Sequence, residues 1–179
     1  MEYLRVIHHS SVMKTLRNIL MLTLIVSAAS GMANAQTRKD KKAEKHAAIK
    51  RDIESKHYIF VADYVSPLRG GQRQLTSEYD LRIKPDSVIS FLPYFGQAYF
   101  DVPYNPTDGG IKFTSTKFDY KVSNKKNGGW EITITPQDVK NLERMILYIS
   151  PDGYASLSVA SVNRDFISFD GHINYKVSN

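Results

Sequence analysis

From Tyr58 onward the chain consists of short β-rich runs separated by Gly, Pro, Asn and Asp residues. The runs YDLRIK and WEITIT alternate apolar and polar side chains, as a strand with one buried face requires. The run HYIFVADYV is apolar on both faces, which is typical of a central strand. No stretch between the runs is long enough for the helix of a parallel crossover. The sequence therefore predicts an all-β domain over residues 58–179, folded as an antiparallel sandwich or a partly open barrel.

One of these runs, IKFTSTKFDYKV, changes phase in its middle. Its apolar residues are odd-numbered at first and even-numbered afterwards: Ile111 and Phe113, then Phe118, Tyr120 and Val122. Because strand side chains alternate with a period of two, both sets face the core only if an extra residue lies between them. We expect a β-bulge near residues 115–117.

Residues 1–35 have the layout of a secretory signal peptide. A basic stretch precedes the apolar run ILMLTLIVSAAS, and the motif ANA supplies small residues for cleavage before Gln36. The apolar run is shorter than the roughly 20 residues that a spanning helix needs, so we expect no transmembrane span after cleavage. Translation starts at Met1 or at Met13, since MKTLRN is itself an ordinary signal start. We therefore expect an exported protein of the periplasm or cell envelope.

Residues 36–57, with the sequence QTRKDKKAEKHAAIKRDIESKH, predict a charged helix. The segment contains no Gly or Pro and is rich in helix formers. Ile49 and Ile53 lie at helical spacing within a thin apolar stripe, so we expect a mostly solvated helix that docks lightly through them. Acidic residues are interspersed among its lysines, which argues against a segment specialised for anionic membrane surfaces.

The net charge of +6 does not indicate a nucleic-acid partner. Residues 36–57 hold eight basic and four acidic residues, whereas residues 58–179 hold thirteen of each. The excess positive charge thus belongs to the N-terminal segments, and the predicted β domain is neutral. A neutral domain offers no basic face for a phosphate backbone, so we expect no nucleic-acid binding.

The sequence contains no recognisable catalytic or metal-binding motif. The absence of cysteine excludes disulfides, thiolate metal sites, a thiol nucleophile and a lipid-modified cysteine. No GxSxG elbow and no phosphate-binding loop is present. His172 lies beside Asp170 in the run DGHI, which predicts a solvated turn residue. Side chains alternate along a strand, so Asp119, between Phe118 and Tyr120, is predicted to face water. We therefore predict no catalytic residues, no metal and no cofactor.

The stretch FLPYFGQAYF is the most aromatic part of the chain. Pro93 removes a backbone donor and Gly96 permits a bend, so the stretch cannot form one long strand. In one interpretation the phenylalanines fill the core and the tyrosines lie half buried at its edge. In the other the tyrosines line the mouth of a cavity and present flat apolar faces with hydroxyl groups. The candidate ligand-binding residues are Tyr94, Phe95, Tyr99 and Tyr104.

The run DSVISFLPYFGQAYFDVPYN, followed closely by GGIKFTSTKFDY, resembles the DUF4251 family, whose members pair such a segment with a downstream GGI-x-F segment. The resemblance covers residues 40–178. It implies an exported protein from Bacteroides-like bacteria, located in the periplasm or cell envelope, and it implies no activity, cofactor or catalytic residue. Many members of that family are lipoproteins, and this chain departs from them because it has no cysteine.

Three functions remain as hypotheses. The first is a non-catalytic binding module for a small apolar ligand, a lipid or a glycan, which would use an aromatic-rimmed cavity. The alternative is a protein–protein interaction or structural module of the envelope, which would use the helix or a free sheet edge. A hydrolase that uses carboxylates alone would need two of them facing one another across a cleft.

Overall fold

The computed structural model describes residues 39–97 and 109–174, so the predicted signal peptide of residues 1–35 lies outside the described residues. Residues 39–55 are helical (α1). The chain divides into two units between residues 43 and 44, and the contacts below are those of the second unit, from Glu44 onward. Its strands are β1 (Tyr58–Pro67), β2 (Arg73–Gln74), β3 (Asp80–Ile83), β4 (Val88–Leu92), β5 (Ile111–Ser115), β6 (Phe118–Asn124), β7 (Trp130–Pro136), β8 (Leu142–Ile149), β9 (Tyr154–Ser161) and β10 (Ile167–Asn174).

The described strands form one antiparallel sheet in the order β5-β4-β3-β1-β10-β9-β8-β7-β6, with the two-residue β2 paired to β1. The first and last long strands pair with each other, from Ile59 opposite Asn174 to Pro67 opposite Ile167. The sheet therefore curls into a nearly closed barrel, and the predicted antiparallel all-β class is confirmed. One end of the barrel, the helix end, holds the start of β1 and the end of β10. The other, the rim end, holds the end of β1 and the start of β10.

The barrel has its seam between β5 and β6. Eight antiparallel steps separate these strands in the sheet order, so they run in the same direction. Residues 116–117 join them, and the chain thus follows a single kinked path that pairs with β4 first and with β7 afterwards. The phase of the apolar side chains changes at residues 116–117, as the sequence predicts. The predicted β-bulge is wrong, however, because no extra residue is inserted into a continuous strand. The strand breaks here because it passes from one edge of the sheet to the other.

The kink is held by Asp138, which follows β7. Its carboxylate accepts hydrogen bonds from the Ser115 hydroxyl and from the backbone N–H groups of Thr116, at 2.9 Å, and Lys117, at 3.2 Å. The backbone N–H of Gln137 donates to the Lys117 carbonyl at 2.8 Å. These bonds, that of Ser115 foremost, lower the pKa of Asp138 to about 2. The ionised Asp138 carboxylate therefore holds residues 115–117, where the chain crosses from one edge of the sheet to the other.

The barrel interior is filled by one hydrophobic cluster. Every long strand contributes to it, and Phe60, Leu147 and Phe169 are fully buried in it. Trp130, Ile132 and Ile134 alternate inward as the sequence predicts. α1 joins the same cluster, since Ile49 and Ile53 are 0% and 1% exposed. The two predicted contact residues are therefore right, and most other residues of the helix are exposed, but the docking is firmer than expected because Ile49 and Ile53 are fully buried in the core.

α1 is fastened to the helix end of the barrel by aromatic and polar contacts. His46 stacks on Trp130 with ring centroids 4.9 Å apart. The Tyr120 hydroxyl donates to the Ile53 carbonyl at 3.3 Å and lies 2.9 Å from the Tyr58 hydroxyl. Burial raises the pKa of Tyr58 well above its ordinary value and that of Tyr120 to about 12. Both phenols stay neutral and act as hydrogen-bonding groups between helix and sheet.

Replacing Asp138 with Asn should lower the melting temperature at neutral pH, because an amide cannot accept all the hydrogen bonds of the carboxylate. The folded pKa of about 2 lies below the ordinary value of 3.8, so the carboxylate stabilises the fold above pH 4. This contribution is lost as the pH falls toward 2. Thermal unfolding of wild type and D138N between pH 7 and pH 2.5 should therefore show two curves that converge in acid.

The matched control is Asp86→Asn, because Asp86 accepts a serine hydroxyl bond only within its own turn. D86N should follow the wild-type curve throughout. Parallel acid profiles for wild type and D138N would contradict the role assigned to Asp138.

Replacing Tyr120 with Phe should lower the free energy of unfolding by about 1–3 kcal/mol, because the buried Tyr58 hydroxyl then loses its partner. The control Tyr154→Phe, at a residue 73% exposed, should change little. Urea unfolding measures both. The double variant Y58F/Y120F should recover part of the loss, since no buried hydroxyl remains. An unchanged unfolding midpoint in Y120F would refute the assignment.

Candidate functional site

The open seam leaves a cleft of about 240 Å³ at the rim end of the barrel. It lies between the start of β5 and the β7–β8 connection, and the β9–β10 connection forms its third side. We call it the seam cleft. Its lining residues are Gly110, Ile111, Lys112, Phe113, Val139, Lys140, Asn141, Leu142, Ser161, Asn163 and Arg164.

Arg164 is a firmly positioned cation of the seam cleft. Its guanidinium donates to the carbonyls of Gly109 at 2.8 Å and Gly110 at 3.4 Å, which ties the β9–β10 connection to the start of β5. The same guanidinium lies 5.0 Å from the centre of the Tyr94 ring. Tyr94 in turn donates its hydroxyl to the Gln97 carbonyl at 2.8 Å, and that hydroxyl lies 3.1 Å from the Asp165 carbonyl. The guanidinium is thus held by an aromatic ring and by two backbone carbonyls.

The electrostatics of the seam cleft favour an anion. Its lining residues within the described part of the chain include the cations Lys112, Lys140 and Arg164, and none of them is a carboxylate. Asn141 has a left-handed φ of 64°, a conformation that asparagine tolerates better than most residues, and its carbonyl accepts from the Val162 N–H at 3.0 Å. These cations and amides are the side chains that recognise carboxylate, sulfate or phosphate groups.

A second cleft of about 290 Å³ lies at the helix end. Tyr58, Ile59 and Ile83 form its apolar wall, and Asp52 is the one carboxylate among its described lining residues. Burial raises the pKa of Asp52, whereas Arg51 and His57 lower it. Its other lining residues are His57, Arg82, Lys84 and Asn174. Among the described lining residues of the two clefts, no two carboxylates face each other in the arrangement that a carboxylate-based hydrolase needs.

Two of the four predicted ligand-binding residues lie at the rim end. Tyr94 is half buried against the core and supports Arg164, and so stands behind the seam cleft. Phe95 is 42% exposed and stacks with the guanidinium of Arg73, 5.7 Å from the ring centre. Tyr99 and Tyr104 lie outside the described residues, so their placement stays a prediction.

The remaining polar candidates have ordinary surface partners. His172 lies on β10 rather than in a turn, and its Nδ1 is 2.9 Å from an Asp63 oxygen. The Asp170 carboxylate accepts a hydrogen bond from the Gln72 side chain and is not bonded to His172. The exposed Asp119 carboxylate accepts a hydrogen bond from the Gln137 side chain at 3.3 Å. Within residues 39–97 and 109–174, no three His, Asp or Glu side chains come together as metal ligands. The same residues include no helix that is long and apolar enough to cross a membrane.

Sequence reasoning missed the polar residues of the seam cleft. Lys112 alternates with apolar neighbours and reads as an ordinary surface residue of a strand, while Lys140 and Asn163 lie in turns. The cleft exists because the seam brings three separate segments together, and no local pattern marks that meeting. The one local signal was Tyr94, which lies behind the cleft rather than in it.

The match to a family model covers residues 40–173 and is described as a domain of unknown function, DUF4251. The chain is similar to the crystal structure of a DUF4251 family protein from Bacteroides eggerthii. The two are 15% identical with a TM-score of 0.53, over 73% of this chain and 87% of the other, so the likeness concerns the fold. A comparison with curated proteins finds no match. The family model spans most of the chain, and the protein therefore belongs to the DUF4251 family.

Proposed function

We propose that the protein is a non-catalytic binding module that holds an anionic glycan, such as a uronic acid or a sulfated sugar, in the seam cleft. The observation that carries the proposal is the set of cations Lys112, Lys140 and Arg164, which line a small cleft whose described lining residues include no carboxylate. We further propose that residues 1–35 direct export and that the protein works in the periplasm or cell envelope.

Because the interior of the barrel is filled, a ligand at the rim end is favoured over a ligand inside the barrel. A lipid or other apolar ligand needs a cavity, typically about 300–1,000 Å³, lined by apolar side chains. Here the inward residues of all the long strands pack together with Ile49 and Ile53 of the helix. The small polar seam cleft suits one charged sugar unit better than an acyl chain.

The placement of Arg164 supports recognition without chemistry. Its guanidinium is positioned by the Gly109 and Gly110 carbonyls and by the Tyr94 ring before any ligand arrives. A preformed cation loses little conformational freedom on binding, which favours affinity. Catalysis would need a nucleophile or a general acid and base beside it, and the lining residues that the structure describes include no carboxylate or histidine.

A protein–protein role is favoured by one specific observation. In the described residues β6 pairs with β7 alone, and Val122 on β6 is 45% exposed. Such an edge is able to accept an extended peptide from a partner. Replacing Val122 with Pro should abolish capture of a partner by this edge in cross-linking experiments, while binding at the seam cleft should remain.

The test of the glycan proposal is a thermal-shift and NMR titration with oligogalacturonate, a sulfated oligosaccharide and a neutral oligosaccharide of matched length. We expect the acidic sugars to raise the melting temperature in proportion to RT ln(1 + [L]/Kd) and the neutral sugar to have no effect. The double variant K112Q/K140Q should bind at least about tenfold more weakly, since each lost charge-assisted hydrogen bond costs about 1.5–3 kcal/mol.

The matched control is K121Q/K126Q, which removes the same charge from β6 and the turn after it, away from the cleft. Its affinity for acidic sugars should equal that of wild type. A chain that responds to none of the three sugars would overturn the proposal. Equal binding of neutral and acidic sugars would overturn its electrostatic basis.

A further inference from the structure

A second feature of the rim end is a group of exposed apolar side chains beside arginines. Leu68, Phe95, Val162 and Phe166 are 60%, 42%, 64% and 46% exposed. They lie on three connections, which follow β1, β4 and β9. Together with the exposed Arg69 and Arg73 we call them the tip surface. Large exposed apolar side chains that cluster on loops are a common mark of an interaction site.

The contacts between the three connections bring these residues together. Pro67 pairs with Ile167, so Leu68 and Phe166 leave neighbouring strands side by side. The Asp165 N–H donates to the Gln97 carbonyl at 3.0 Å and joins the β9–β10 connection to the segment that carries Phe95. Phe95 also stacks with Arg73. The tip surface is therefore continuous across segments that are far apart in the sequence.

The loop that carries Leu68 and Arg69 has a defined shape. Gly70 and Gly71 have φ values of 104° and 75°, which a residue with a side chain rarely adopts. Gln72 donates to the Asp170 carboxylate on β10 at 3.0 Å. The loop is thus turned sharply and tied back to the barrel, while Leu68 and Arg69 remain exposed.

The charge of the tip surface is positive. Residues 67–73, 93–97 and 162–166 contain Arg69 and Arg73 of the tip surface, Arg164 of the seam cleft, and a single acid, Asp165, which is only 7% exposed. An exposed apolar group beside arginines matches an anionic bilayer, because the apolar side chains enter the interface and the guanidiniums bind lipid phosphates. Arg side chains suit phosphate especially well, since they bind it with two parallel hydrogen bonds.

We propose that the tip surface docks the barrel on an anionic membrane surface, with Leu68, Val162 and Phe166 inserted and Arg69 and Arg73 at the phosphates. The proposal is independent of glycan binding, which uses the seam cleft. A bilayer fits better than a small ligand, because the apolar residues protrude on loops instead of lining a cleft. A partner protein and a second copy of the chain are the competing occupants.

The test is co-sedimentation of the full chain with vesicles of phosphatidylethanolamine and phosphatidylglycerol, compared with vesicles of phosphatidylcholine, at physiological salt. The double variant L68S/F166S should partition at least about tenfold more weakly into the anionic vesicles, since each side chain loses its transfer out of water. In R69Q/R73Q the partition coefficient should fall roughly fivefold for each arginine removed. This fall should occur with the anionic vesicles and not with the phosphatidylcholine vesicles.

The control V122S removes an apolar side chain of comparable exposure, 45%, from the far part of β6 and should partition as wild type does. Residues 1–35 are common to all variants, so differences among them report on the tip surface. Equal partitioning of wild type, L68S/F166S and R69Q/R73Q, at matched melting temperatures, would overturn the proposal. So would a wild-type dimer in sedimentation velocity without vesicles that L68S/F166S abolishes, since a second copy then covers the surface.

Discussion

The fold depends on how a single strand path closes the barrel. Residues 111–124 pair with β4 in their first half and with β7 in their second half, so the chain leaves one edge of the sheet and joins the other at residues 116–117. A strand that changes partners loses regular ladder bonds at the crossing point, and its backbone N–H groups need other acceptors. The carboxylate of Asp138 supplies them. The contact between Asp138 and residues 115–117 is thus polar, whereas the interior of the barrel is held together by buried apolar side chains.

Closure has consequences at both ends of the barrel. At the helix end, α1 inserts Ile49 and Ile53 into the core, and the Tyr58 and Tyr120 hydroxyls bridge helix and sheet. At the rim end, the kink leaves the start of β5 away from the β7–β8 connection, and the gap between them is the seam cleft. The helix thus completes the core at one end of the barrel, while the seam leaves a polar cleft at the other.

The proposed glycan site and the proposed membrane-docking surface share one end of the molecule but use different chemistry. The seam cleft is concave and combines cations with amides, whereas the tip surface protrudes and combines arginines with apolar side chains. Tyr94 and Phe95 lie at the boundary, since Tyr94 supports Arg164 and Phe95 stacks with Arg73. The aromatic stretch that the sequence singled out thus supports arginines on both sides.

The sequence by itself determined the elements whose information is local. Alternation of apolar side chains along Trp130, Ile132 and Ile134 predicted a strand and its buried face, because side-chain direction follows from backbone geometry alone. The quoted aromatic and glycine segments identified the family. Tertiary structure alone decided how deeply α1 is buried, why the phase changes at residues 116–117, and which cations meet at the cleft. The physical reason is that Lys112 lies on β5, Lys140 on the β7–β8 connection and Arg164 on the β9–β10 connection, and only closure of the barrel brings them to one cleft.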